Sequence, residues 1–287
     1  MQTKVKLPQK WADFLFVDEN KSELFQYLAS ETSQHKFREN KQIVITKGAE
    51  VLTVNSHKMS DCTHEEADSH LFLHIMEALE EGNNCIMIRT VDTDVVVICM
   101  GKFHDVLARY PDFQLWIRFG TGNSVKTIYL NTVCATAGKD ISRGLPFFHA
   151  LTGCDTTSAF KGKGKKSAWQ AWKGSPAVTP IFEHLSQNPF KDVELGSIEF
   201  KELQKFTVHM YSKNVEANSV NEGRKLIFAN NQNMEKIPPT EDALLQHVKR
   251  AVHQTGIKEI QRSQCERHQI DISKAATAFS KQLWLEA

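Results

Sequence analysis

"CIMIRTVDTDVVVICM", residues 85–100, decides how this chain is read. An apolar run of this length belongs in a core, yet Asp92 and Asp94 stand in the middle of it. Its first part, CIMIR, follows the Gly82-Asn83-Asn84 break and reads as a continuous apolar strand of a parallel sheet. The VVVICM after the aspartates fits either a strand or a short helix, because periodicity does not separate the two over so few residues. In an extended chain both aspartates project to the same side. Two ionised carboxylates held that close repel, and a cation relieves the repulsion. The other reading is a turn in which Asp92 caps a helix that starts near Thr93.

Outward from this stretch, the segment KWADFLFVDENKSELFQYLASE carries apolar residues at helical spacing. KQIVITKGAEVLTV reads as two short strands around Lys47-Gly48. THEEADSHLFLHIMEALEEG is the clearest helix, with Thr63 as N-cap, Glu66 closing a capping box and Gly82 as the stop. QLWIRFG and VKTIYL, joined by TGN, predict a hairpin. GKDISRGLPFFHALTG and SAWQAWKG predict helices on either side of the basic loop KGKGKK. Beyond the Pro-containing GSPAVTP, helices are expected over IEFKELQKFTVHMYSK and TEDALLQHVKRAVHQ, the second capped by Thr240. Helix and strand alternate to about residue 155 and helices dominate after it. The fold class is therefore α/β, with a mostly parallel central sheet, a core over 1–173 and a helical extension over 174–287.

Composition narrows the function classes. The 287 residues suffice for a sizeable core, and 41% hydrophobic with 24% charged residues is ordinary for a globular protein. The net charge of +1 provides no global basic field, so nucleic-acid contact needs a local patch. The six cysteines show no C-x-x-C spacing, which argues against a disulfide framework or zinc ribbon and fits a reducing compartment. No run reaches membrane-spanning length and the N-terminus lacks a signal-peptide core. The expectation is a soluble intracellular protein without a membrane partner; nucleus and cytoplasm are not distinguished.

Three acidic groups could carry chemistry: Glu65, Glu66 and Asp68 on the strong helix; Asp92 and Asp94; and Asp155 in TGCDTT. Hard ions such as Mg²⁺ or Mn²⁺ take oxygen ligands, and carboxylates at the carboxyl edge of a parallel sheet can supply them. Two such ions can stabilise the attacking and leaving oxygens of a phosphodiester displacement. Each group also has a plain structural reading: a capping box, a helix cap and a turn aspartate. In the basic loop, Lys161, Lys163, Lys165, Lys166 and Lys173 lie without an intervening acid. Gly162 and Gly164 would let backbone N–H groups approach a phosphate, or the lysines simply form a solvated turn. Trp169 and Trp172 could stack on bases, but three-residue spacing on a helix favours core packing. His70 and His74 with Cys62 and His64 are a weak zinc pattern, because the H-E-x-x-H glutamate is missing. Cys154 is discounted as a nucleophile, since the adjacent Asp155 would raise its pKa.

In joint order, EEAD, a strand ending in DTD, and GCDTTSAFKGKGKKSA resemble the flap endonuclease side of the PIN-like nuclease superfamily. More closely, HEEADSHLFLH, DTDVVVI, HALTGCDTTSAFKGKGKKSAW and VNEGRKLIF…PPTEDALLQHVKRA are similar to a widespread, often multicopy group of animal proteins with a diverged nuclease-like core. The resemblance implies metal-dependent hydrolysis of DNA or RNA. It places Glu66, Asp68, Asp92, Asp94 and Asp155 around Mg²⁺ or Mn²⁺, with Asp92, Asp94 and Asp155 catalytic. It makes Lys161, Gly162, Lys163, Gly164, Lys165 and Lys166 a helix-turn-helix-like grip on the nucleic-acid backbone. Two departures stand against it. Nothing upstream of Ile43 reads as the family's first, aspartate-bearing strand, and Asp61 is too near the helix to replace it. Thr156 stands where an aromatic residue is usual. The departures leave three expectations open: a truncated gene product, a partner chain that completes the sheet, or a catalytically degenerate fold serving as a nucleic-acid-binding or protein-interaction module.

Overall fold

A computed structural model describes residues 8–38, 41–48, 50–55, 67–188 and 191–256. The chain forms two compact units, Met1–His70 and Leu71–Ala287. In the first, the helical segment expected near the N-terminus is two helices, α1 (Trp11–Phe16) and α2 (Asp18–Gln34). They part at Val17, whose ψ of 122° is extended. Strands β1 (Ile43–Lys47) and β2 (Glu50–Val54) form the expected antiparallel hairpin, with Lys47 opposite Glu50. Among the described residues upstream of Ile43 there is no strand.

Helix α3 (Ala67–Glu80) leads into the second unit, and Gly82, at φ +87°, follows its end as the sequence suggests. The proposed cap at Thr63 and Glu66 lies outside the described residues. Strand β3 (Cys85–Thr90), helix α4 (Thr93–Arg109) and strand β4 (Gln114–Phe119) make a β-α-β unit, and β3 pairs parallel to β4. Strand β5 (Lys126–Tyr129) returns antiparallel to β4, as the hairpin reading requires. The sheet order is β3-β4-β5, so one pair is parallel and one antiparallel. The chain is α/β, with this small mixed sheet where a mostly parallel one was expected.

The CIMIR strand is not buried on both faces. Ile88 is buried, while Cys85, Met87 and Arg89 are exposed. The central strand β4 alternates in the same way, so the sheet packs one face and leaves the other to solvent. Ile88, Leu115 and Ile117 of the inner face pack with Phe72, Ile75 and Leu79 of α3 and Val95, Cys99 and Phe103 of α4.

Helices α5 (Leu130–Ala137) and α6 (Lys139–Leu151) follow, then α7 (Lys165–Gly174), α8 (Thr179–Gln187), α9 (Ile198–Tyr211), α10 (Val220–Asn231) and α11 over 241–256. Thr240 caps α11 as expected, accepting from the Ala243 N–H at 3.3 Å. These helices enclose a second core, with Phe147, Phe182, Phe200 and Phe206 essentially inaccessible. Each such ring contributes about 1.5–3 kcal/mol of burial. The boundary expected at 173 falls inside this core, where Trp172 contacts Phe148 and Phe182 with ring centres 4.8 Å apart in each case. Trp169 packs beside it, so both tryptophans are core residues as their spacing favours.

Two features fix α6 against its neighbours. Gly101 of α4 faces Pro146 of α6 so closely that an added Cβ would lie 2.6 Å from the proline Cγ. Arg143 joins Asp105 of α4 to Glu183 of α8. Burial opposes the Arg143 charge, and the two carboxylates outweigh it and hold the guanidinium firmly protonated.

Candidate functional site

The site begins at the carboxyl end of β3, where open α/β sheets place their ligands. There the chain turns straight into α4, so the helical option for VVVICM is the one realised. Asp92 is its N-cap, with Oδ1 accepting from the Asp94 N–H at 2.8 Å. The Asp92 N–H in turn donates to Thr90 Oγ1 at 3.0 Å. The two aspartates do not share one side of a strand. Asp94 lies in the first helical turn, and residues two apart on a helix point about 200° apart.

Asp94 instead reaches α6. Its Oδ1 accepts from His149 Nε2 at 2.7 Å, with side chains only 15% and 8% exposed. The imidazole takes the place where the metal reading needs a cation. His149 carried no flag in the sequence, because its partner lies 55 residues away and HALTG reads as an ordinary helix end. The only available signal was a polar ring inside an apolar helix face.

Immediately beyond His149, the TGCDTTSAFKGKGKK segment closes the end of α6. A helix leaves its last four carbonyls without helical partners. Here Thr152 Oγ1 donates to Phe148 O at 2.7 Å, and Lys165 Nζ donates to His149 O at 3.1 Å. Thr157 Oγ1 donates to Ala150 O at 2.6 Å, and His247 Nε2 of α11 donates to Leu151 O at 2.7 Å. Lys165 Nζ also donates to Gly153 O at 2.6 Å. Gly153 makes the turn possible: its φ is +102°, and a Cβ there would lie 2.8 Å from the Ala159 Cα. Every final carbonyl of α6 thus has a donor supplied by this motif or by α11.

The remaining expected site residues are distributed as follows. Asp155 is exposed at the tip of a tight turn closed by two backbone hydrogen bonds between Cys154 and Thr157, each 3.2 Å. Lys163 Nζ donates to Tyr211 O at 3.3 Å and lies 5.1 Å from the Tyr211 ring centre; burial lowers its pKa. The Tyr211 hydroxyl donates to Lys161 O at 3.1 Å. Gly162, at φ +70°, turns the chain, and Gly164 is the N-cap of α7 without a side-chain cap bond. The side chains of Lys161 and Lys166 are exposed. Glu66 lies outside the described residues, and of Asp68 only the helical backbone is described.

The described donors do not fit a Mg²⁺ or Mn²⁺ shell. Asp94 is engaged by His149, Asp92 by its own helix, and Asp155 belongs to a separate exposed turn. Among the described residues no three His, Cys, Asp or Glu side chains form a group suited to a metal. His74 instead contacts Glu77 at 3.3 Å, while His70's side chain, Cys62 and His64 lie outside the described residues.

Cys154 departs from its sequence reading. Burial works to raise its pKa, but hydrogen bonds from Thr156 and Thr157 outweigh burial and lower it. Cys134 is the contrast, with burial pushing its thiol up to about 11. Among the described residues no helix is long and apolar enough to cross a membrane. Comparison of the chain with protein-family models, curated proteins and solved structures finds no match.

Proposed function

We propose that this chain is a nucleic-acid-binding module on a PIN-like, flap endonuclease-related scaffold in which Asp92 and Asp94 serve the fold instead of a metal. The observation that carries the reading is the Asp94–His149 hydrogen bond, which occupies the carboxylate that metal-dependent hydrolysis would need. The binding surface is the start of α7. Lys166 and Lys173 are exposed and seven residues apart, two helical turns on one face. Exposed Lys161 lies just before the helix. The α7 N-terminus has no side-chain cap, so its positive end adds to their field. Lysines in this arrangement recognise backbone phosphates without reading bases. A strand from a partner chain would pair on the outer edge of β3, the sheet's end strand.

Binding of a single-stranded oligonucleotide, followed by fluorescence anisotropy in EDTA, tests the reading. Three neutralised phosphates give a log-log salt slope of about −2. The variant Lys161→Gln/Lys166→Gln/Lys173→Gln should lose most of the affinity and the salt dependence. Mg²⁺- or Mn²⁺-dependent cleavage that disappears in Asp92→Ala would overturn the proposal in favour of a nuclease.

A further inference from the structure

We infer that a second, smaller site, between the Cys154–Thr157 turn and the basic face of α11, binds a phosphate monoester dianion. The cavity there has a volume of about 300 Å³ and is lined by Thr156, Thr157, Gln246, Lys249, Arg250 and His253, among others. That volume is at the lower end of small-ligand pockets and suits a phosphate carrying one small group. The lining contains no carboxylate and no apolar side chain among the described residues. Three of the residues are basic types, and the remainder offer hydroxyl and amide groups. Such a wall has nothing to offer an apolar ligand and much to offer a compact dianion.

The walls are held by the fold. The turn is pinned by its paired backbone bonds and by Thr157 Oγ1, which donates to Ala150 O at 2.6 Å. Thr156 sits at its tip, with Oγ1 3.4 Å from Cys154 Sγ. On the other side, His247 ties α11 to the end of α6. Lys249 and Arg250 bring two positive charges of α11 to the cavity lining, and His253 adds an imidazole one turn beyond. Lys249 shares its charge with Asp192 at 2.8 Å. The Arg250 charge is felt at the neighbouring His247, whose pKa burial lowers first and Arg250 lowers further. The guanidinium is therefore the principal anchor, because its fork matches two phosphate oxygens. The position that departs from the family's aromatic residue, Thr156, supplies a hydroxyl at this wall.

This site stands apart from the oligonucleotide surface and does not rest on it. Calorimetry of the full chain with inorganic phosphate, a nucleoside monophosphate and the corresponding nucleoside tests it. Phosphate and the monophosphate should bind and the nucleoside should not. Arg250→Gln should weaken both by at least about tenfold, and Thr156→Val should weaken them less. Lys161→Gln/Lys166→Gln should leave them unchanged, which separates this site from the surface on α7. Thermal unfolding without ligand confirms that each variant folds. Equal binding of nucleoside and monophosphate, or phosphate affinity untouched by Arg250→Gln, would overturn the inference.

Discussion

The acidic end of β3 and the basic segment 161–166 are opposite in sign and alike in how the fold uses them. Each turns charge inward and leaves a close neighbour at the surface. Asp94 reaches His149, while Asp92, two residues earlier, caps its helix in solvent. Lys165 reaches three oxygens around the end of α6, while Lys166 stays exposed. The difference is in depth. The acid reaches a buried imidazole, whereas the lysine spreads over a helix end and keeps contact with water. Charges adjacent in sequence need not share a task, because helical phase sends them to different places.

The largest expected effect comes from Asp94. Asp94→Ala leaves a buried imidazole without this acceptor and should cost about 2–3 kcal/mol in urea unfolding. A loss below about 1 kcal/mol would break the comparison at its acidic end. Lys165→Met comes next. It strips donors from three acceptors at a partly exposed site, so about 1–2 kcal/mol is expected. Lys166→Met should leave the unfolding midpoint in place, and equal losses for the two lysines would erase the distinction drawn between them. Asp92→Ala removes a helix cap and should cost about 1 kcal/mol, less than its neighbour Asp94. Asp155→Ala should change stability by no more than about 0.5 kcal/mol, as expected of an exposed turn tip.

The smallest effect is the pH dependence set by His247, the donor from α11 to Leu151 O. Burial and Arg250 hold its pKa below the ordinary imidazole value, and the hydrogen bond to Leu151 raises it only in part. The folded state therefore binds the proton less readily than the unfolded chain. Its contribution is complete above the free imidazole pKa of about 6.5 and is lost as pH falls from there toward the folded value. Urea midpoints between about pH 7.5 and about pH 5.5 should fall in the native protein and fall less in His247→Gln. An equal slope in both proteins would remove His247 from the account.

Much of the scaffold was legible because its signals are local. The β1–β2 and β4–β5 hairpins follow from turn residues between apolar runs, and Thr240 caps α11 by a rule that spans three residues. The helices around TGCDTT were equally readable. The helical nature of VVVICM was not, since a short apolar run satisfies both periods. The sheet's exposed face was hidden too: CIMI is an unbroken apolar run, and only the one-sided packing of the sheet leaves Met87 in solvent. The site was the least legible. The Asp94–His149 bond joins α4 to α6, and Lys165 reaches back to carbonyls, which have no side-chain identity to find. Cys154 likewise escaped, because the hydroxyls of Thr156 and Thr157 fold onto its sulfur only in the turn.

The central claim is that Asp94 belongs to His149. A double-mutant cycle of Asp94→Ala and His149→Ala, followed by urea unfolding in EDTA, tests it most directly. The account predicts a coupling of about 2–3 kcal/mol, so that the second substitution costs far less once the first is made. Additive losses within about 0.5 kcal/mol would contradict it and free Asp94 for another partner.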